Sequence, residues 1–161
     1  MSEESPAGFI EAFAATFQVA YVTRDRSGAQ RELSTRLGLG GWTELDVEVA
    51  GAELAVAFAR AGRVVIELVQ PLGGDAELFT GLLPAEGLVK LHHLGVRVDD
   101  IDLALEHADS AGYACASAGE LAGQLRFAFV DTTGDLGHYI ELAQFTPVGW
   151  EFIAGILQRE S

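Results

Sequence analysis

Four side chains able to ligate a metal ion stand at matching places in this sequence. Gln18 precedes the run Val19-Ala20-Tyr21-Val22, and His93 precedes Leu94-Gly95-Val96-Arg97-Val98. Ile66-Glu67-Leu68 returns as Ile140-Glu141-Leu142. The step from Gln18 to His93 is 75 residues, and that from Glu67 to Glu141 is 74. Two copies of one unit, each beginning and ending on a candidate ligand, point to one site built between two halves. Asp25 and Asp100 keep the same step of 75, and Gly38 and Gly112 are 74 apart. A period this long with two copies is a duplication inside one globular fold, not a solenoid.

The elements that must position these residues follow the same repeat. In the first half, Phe17 to Thr23 is apolar and rich in strand formers. Asp25 to Ser27 then offers a helix start, Ala29, Leu33 and Leu37 share one helical face, and Gly38 is a stop. Trp42 to Val49 alternates between apolar and acidic residues, as a half-buried strand does. Leu54 to Ala59 and Arg63 to Val69 flank Ala61-Gly62, which suits a hairpin. The second half reads as a strand over Leu91 to Val98, a helix capped by Asp99 or Asp100 and ended by Gly112, and strands near Tyr113 to Ala118, Leu125 to Val130 and Tyr139 to Phe145. Residues 7–16 are expected to form a short helix. Trp150, Ile153 and Leu157 stand at helical spacing in the tail.

Composition narrows the partners. The chain has 161 residues, 49% of them hydrophobic, enough for one domain with a sizeable core. Its net charge of -14 repels nucleic acid phosphates and anionic lipid heads, so the expected partner is a small molecule, with no nucleic acid and no membrane. Arg24, Arg26, Arg31 and Arg36 read as a solvated helix face. The single cysteine, Cys115, fits a reducing, cytoplasmic setting and is expected to be a small packing residue. The acidic N-terminus lacks the basic start of a signal peptide.

Strand parity places the two glutamates in costly surroundings. Val65, Glu67 and Val69 share one face and Val64, Ile66 and Leu68 the other, so both faces are apolar. Glu141 lies between Tyr139 and Ala143 in a similar setting. An unpaired carboxylate there is expensive, and a divalent cation would remove the cost. A single glutamate in an apolar strand is more often paired with arginine or left on a wet edge; its recurrence in a repeat weighs against that reading. By the same parity His92 should face away from His93 as a structural histidine, and His138 should lie in a loop.

The strand–helix–strands unit occurring twice, with His93-Leu94-Gly95-Val96-Arg97-Val98 before an Asp-capped helix and Ile140-Glu141-Leu142 on the last strand, resembles the vicinal oxygen chelate superfamily. That group includes glyoxalase I, methylmalonyl-CoA epimerase, extradiol dioxygenases and bleomycin-resistance proteins, and the likeness is strongest for its glyoxalase-like and epimerase-like branch. The resemblance implies an α+β fold in one domain, 1–161. Two tandem βαβββ modules, 17–70 and 91–145, would curl eight strands into one mixed, cup-shaped sheet, with a linker over 71–90 and a C-terminal helix over 149–158. It implies Gln18, Glu67, His93 and Glu141 as metal ligands; the family commonly has His where Gln18 stands. This oxygen-rich set suits Mn, Co, Ni, Fe or Mg at least as well as Zn.

The implied function is a metal-dependent isomerase, epimerase or lyase acting on a small metabolite with adjacent oxygens. Its chemistry would be proton abstraction next to a metal-bound carbonyl. Glu141 is the implied base. Glu48 is a second acid or base, with Glu44 and Asp46 competing for that place, and Tyr139 and Arg97 are implied substrate contacts. The alternative is a metal-free binding protein like the drug-sequestering members. An extradiol dioxygenase needs two histidines and one carboxylate on iron, of which this chain supplies one histidine. Many relatives are dimers, so the tail could cover the chain's own sheet or that of a homodimer partner.

Overall fold

The computed structural model describes residues 13–159. Each module opens with a strand and a helix and closes with three strands: β1 (Thr16–Val22), α1 (Arg26–Leu37), β2 (Thr43–Val49), β3 (Ala52–Ala61) and β4 (Val64–Gly74) in the first. The short helix α2 (Glu77–Thr80) precedes the second module: β5 (Lys90–Arg97), α3 (Ile101–Ser110), β6 (Cys115–Leu121), β7 (Leu125–Val130) and β8 (Tyr139–Phe145), with a one-turn α4 (Thr133–Leu136) before β8. Helix α5 (Pro147–Leu157) ends the described chain. Between the modules, β4 runs on to Gly74, which pairs with Ala52. Most of the helix expected over residues 7–16 lies outside the described residues.

All eight strands form one curled mixed sheet in the order β2-β3-β4-β1-β5-β8-β7-β6. The central pair, β1 and β5, is antiparallel and joins the modules; within each module the first and last strands, β1 with β4 and β5 with β8, run parallel. The first and last strands of both modules, which carry the four candidate ligands, thus lie side by side at the centre of the sheet.

The helices are set by repeated local devices. Asp25 accepts from the Gly28 N–H at 3.0 Å, and Asp100 from the Leu103 N–H at 3.1 Å, capping α1 and α3. Gln70 on β4 accepts from the Arg26 N–H, and Gln144 on β8 accepts from the Ile101 N–H, each at 2.9 Å. Each glutamine stands three residues after a candidate glutamate ligand, so it ties a helix start to a site strand. Gly38 closes α1 in the left-handed region at φ 72°, where a side chain would be strained.

Alternation divides the core between two faces. Leu54, Val56 and Phe58 of β3 join Phe17, Phe127 and Phe129 in the cluster inside the cup, while Ala57 packs outward with Ala29 of α1 and Leu68. The outer face of the second module packs Ile101 and Ala108 of α3 on Val96, Ala128, Ile140 and Leu142. Helix α5 contributes Ile153 and Ile156 to the cup cluster, so the tail covers the chain's own sheet. Cys115, expected as a packing residue, is exposed at the start of β6. No helix among the described residues is long and apolar enough to cross a membrane.

The seating of α5 makes a paired prediction. A Cβ at Gly149 would lie 2.1 Å from the Gln124 carbonyl oxygen, whereas one at Gly155, on the same helix, meets nothing within 4 Å. Gly149→Ala is expected to lower unfolding stability by about 1–3 kcal/mol through this backbone clash. Gly155→Ala is expected to raise it by up to about 1 kcal/mol from helix propensity. Urea denaturation of the two variants checks the pair, and equal effects would contradict the docking of α5.

Candidate functional site

Two β-bulges aim the central strands at the cup. Along β1, Thr16 is opposite Val96 and Gln18 is opposite Gly95, which leaves Phe17 as the extra residue. Along β5, Ala20 is opposite His93 and Tyr21 is opposite Leu91, which leaves His92 as the extra residue. A bulge breaks the two-residue alternation and can turn neighbouring side chains to one face. Phe17 and Gln18 accordingly both line the cavity. His92 lies beside His93 with their Nδ1 atoms 2.8 Å apart, so it does not face away as parity suggested. Phe17 and His92 occupy equivalent places in the repeat, so each candidate ligand on a first strand follows a bulged residue.

The structure brings Gln18, Glu67, His93 and Glu141 together. His93 Nε2 lies 2.8 Å from Glu141 Oε2 and 3.8 Å from Glu67 Oε2. The Gln18 side-chain amide donates to Glu67 Oε2. His93 is 2% exposed and the carboxylates 13% and 14%, so water screens them poorly. His93 Nε2 is buried and, despite the nearness of Glu141, makes no well-directed hydrogen bond.

His92 settles the tautomer of its neighbour. Its Nε2 lies 2.9 Å from the Leu78 carbonyl oxygen, which can only accept, so Nε2 carries the proton. Burial, then the nearby His93, lowers the His92 pKa to about 3, so the ring stays neutral and Nδ1 is an acceptor. His93 must therefore donate from Nδ1, and its Nε2 is the nitrogen turned to the carboxylates. Phe79 stacks on His92 with ring centroids 4.7 Å apart and holds its plane.

In the metal-free site the surroundings of Glu67 and His93 favour their protonated forms. Burial lifts Glu67 to a pKa of about 7; the charge of His93 opposes the rise and that of Glu141 adds to it. Burial pulls His93 down, but contact with Glu141 and the charges of Glu141 and Glu67 outweigh it and leave the pKa raised. Both directions describe a pocket with too little positive charge.

A divalent cation fits this need. Octahedral oxygen donors at about 2.1 Å from a metal stand about 3 Å from their neighbours; the 2.8 Å between His93 Nε2 and Glu141 Oε2 matches this, and the 3.8 Å to Glu67 Oε2 is wider. As the side chains stand, no group of three or more His, Cys, Asp or Glu among the described residues is arranged to hold a metal ion. The fourth donor is an amide, and rotation about its last bond would exchange the Gln18 nitrogen for its oxygen. Gly95 provides room for it: a Cβ there would lie 2.7 Å from Gln18 Oε1 and 3.2 Å from the Phe17 ring.

A cavity of about 470 Å³ opens over these four residues. Glu48 is not in its wall. Leu45, Val47 and Val49 of β2 face the cavity, and the alternating acidic residues face away. Glu44 and Asp46 lie within 3.5 and 3.4 Å of Arg26 on α1, so the acidic side of β2 belongs to the helix-covered face. That pairing also removes Arg26 from the solvated face expected for the basic cluster. Tyr139 backs His92, with ring centroids 5.2 Å apart, and Arg97 lies 3.9 Å over the Trp150 ring; neither lines the cavity. His138 is held by its own strand, Nδ1 lying 2.8 Å from the Tyr139 carbonyl oxygen.

Sequence reasoning missed His92, Gly95 and the two helix-tying glutamines. The recurrence of Gln three residues after each glutamate was a readable signal. The bulges carried none, since Phe17 and His92 share no residue type.

The family model for the glyoxalase/bleomycin resistance protein/dioxygenase superfamily matches residues 17–129, more than half of the chain. No curated protein matches the sequence. Among solved structures, methylmalonyl-CoA epimerase from Mycobacterium tuberculosis is similar with a TM-score of 0.61 at 21% identity, over 83% of this chain and 89% of that one. A selenomethionine form of a methylmalonyl-CoA epimerase is similar with a TM-score of 0.55 at 25% identity, over 81% and 94%. A single-residue variant of the Streptomyces coelicolor methylmalonyl-CoA epimerase, in complex with 2-nitronate-propionyl-CoA, has a TM-score of 0.62 at 16% identity, over 83% and 96%. With its paired modules, single cup and four converging polar side chains, this chain belongs to the glyoxalase/bleomycin resistance protein/dioxygenase superfamily.

Proposed function

We propose that the protein is a divalent-metal-dependent isomerase or epimerase, with glyoxalase-type lyase chemistry as its near alternative, acting on a small carbonyl compound with adjacent oxygens. The observation that carries this reading is the convergence of Glu141 Oε2, at 2.8 Å, and Glu67 Oε2, at 3.8 Å, on the buried His93 Nε2. Members of the superfamily commonly bind divalent metals. Gln18, Glu67, His93 and Glu141 would hold the ion. Bound there, it would polarise a substrate carbonyl and stabilise the negative charge that develops when the adjacent C–H is deprotonated.

The chain's own groups do the rest. Glu141 takes the proton from the carbon next to the carbonyl. Glu67, on the equivalent strand of the other module, is the second carboxyl group of the site and the candidate to return a proton. It replaces Glu48 in that role, because Glu48 lies outside the cup. A substrate that fills the apolar cup would displace water from it, which would strengthen each charge interaction at the floor. His92 holds His93 in the tautomer whose Nε2 faces the reacting centre.

Proton exchange tests the reaction class. NMR in D2O would follow the α-C–H of a panel of α-hydroxy ketones and α-substituted carbonyl acids with Mn²⁺-loaded protein. The expected result is deuterium entry that drops by about 100-fold or more in Glu141→Gln. Exchange indifferent to Glu141→Gln would contradict the role given to that residue. No exchange and no dependence on added metal would favour a binding protein like the drug-sequestering members.

The positioning role of His92 has its own readout. His92→Phe keeps a ring to stack on Phe79 but removes the acceptor for His93. Calorimetry is expected to show Mn²⁺ affinity lowered by about 10–100-fold in this variant while its circular dichroism is unchanged. Unchanged affinity would assign His92 to packing alone.

A further inference from the structure

The cavity also carries information on what kind of molecule enters it. Its polar lining consists of Gln18, Glu67, His93, Glu141 and one further amide, Gln124. The rest is hydrocarbon, dominated by Val56 and Phe58 of β3, Phe127 and Phe129 of β7, and Phe152 and Ile153 of α5. None of the chain's ten lysines and arginines, all of them among the described residues, lines it. Several are visibly committed elsewhere: Arg97 to Trp150, Arg126 to Asp102 at 3.0 Å, and Arg159 to the Gly41 carbonyl oxygen at 2.9 Å.

We propose that this cavity selects an uncharged, mainly hydrocarbon carbonyl compound, with adjacent oxygens at one end and an aromatic or branched body, and rejects carboxylated acyl groups such as that of methylmalonyl-CoA. The proposal rests on the preceding reading for its oxygen-bearing end; the hydrocarbon end stands on the cavity alone. The volume of about 470 Å³ falls within the range of about 300–1,000 Å³ usual for small-molecule sites. The oxygens meet the four polar side chains at the floor, and the body meets the aromatic and aliphatic walls, where burial of apolar surface supplies the affinity. A carboxylate carried into the cavity, such as that of a methylmalonyl group, finds no cation in the wall and two carboxyl groups at the floor. The epimerases that share this fold include one solved with methylmalonyl-CoA, so the inferred selectivity separates this chain from them by substrate class.

Two binding measurements test it, the first without metal. Chelator-treated protein is titrated with N-phenyl-1-naphthylamine, a neutral probe that fluoresces in apolar surroundings. One saturable site is expected, displaced by 1-phenyl-1,2-propanedione and not by methylmalonyl-CoA at the same concentration. Leu45→Lys, which puts a cation on the cavity wall from edge strand β2, should weaken the probe by about tenfold or more. Glu48→Lys, on the outer face of the same strand, should leave it unchanged. Failure of the probe to bind, displacement by methylmalonyl-CoA at or below the dione's concentration, or equal effects of the two lysine variants would overturn the proposal. In the second measurement the dione is titrated with and without Mn²⁺. Tighter binding with the metal supports the chelating end; no difference overturns that end and the function it rests on, and leaves the metal-free result to decide the hydrocarbon end.

Discussion

Two carboxylates and an imidazole held beneath an apolar cover are the constraint on which the rest of this structure depends. Glu67 and Glu141 approach His93 from strands of different modules, where water cannot screen them. Such charges must be neutralised by protons, by a partner or by a cation. No lysine or arginine lines the cavity, so protons fill the role in the metal-free protein, which is why Glu67 and His93 both have raised pKa values. The central position of the four candidate ligand strands, the glycine opposite Gln18 and the neutral histidine behind His93 all bear on this one cluster.

Duplication explains how the cluster is assembled cheaply. One βαβββ unit cannot surround a point, but two units joined through antiparallel first strands bring four strand positions around one. The repeated caps, Asp25 and Asp100, and the repeated tethers, Gln70 and Gln144, keep each helix in register with the strand that carries its glutamate. The tail helix then adds apolar wall to the cup. The frame is common to the superfamily, whereas the chemistry of the walls is this chain's own.

Much of this was legible in the residues. The 75- and 74-residue steps aligned the modules, period-2 alternation located β2, and the apolar runs either side of Ala61-Gly62 located the hairpin that bears Glu67. Parity failed at His92 because a bulge leaves no mark on hydrophobic pattern, and the residue type at the two bulges differs. Glu48 was misplaced for a different reason. Alternation correctly separates Leu45, Val47 and Val49 from the acidic residues, but it does not say which side of a curled sheet is concave. The choice falls to packing: Arg26 on α1 draws Glu44 and Asp46 to the outer face, and the aliphatic side is left to line the cup.

Metal content is the most direct test of the central claim. Protein purified without chelator or affinity-tag metal would be assayed by elemental analysis beside the Glu67→Gln/Glu141→Gln double variant, before and after exposure to Mn²⁺, Co²⁺, Ni²⁺, Fe²⁺ and Zn²⁺. The account predicts close to one divalent ion per chain in the parent and none retained by the variant. A parent that keeps no metal under any of these conditions would contradict it.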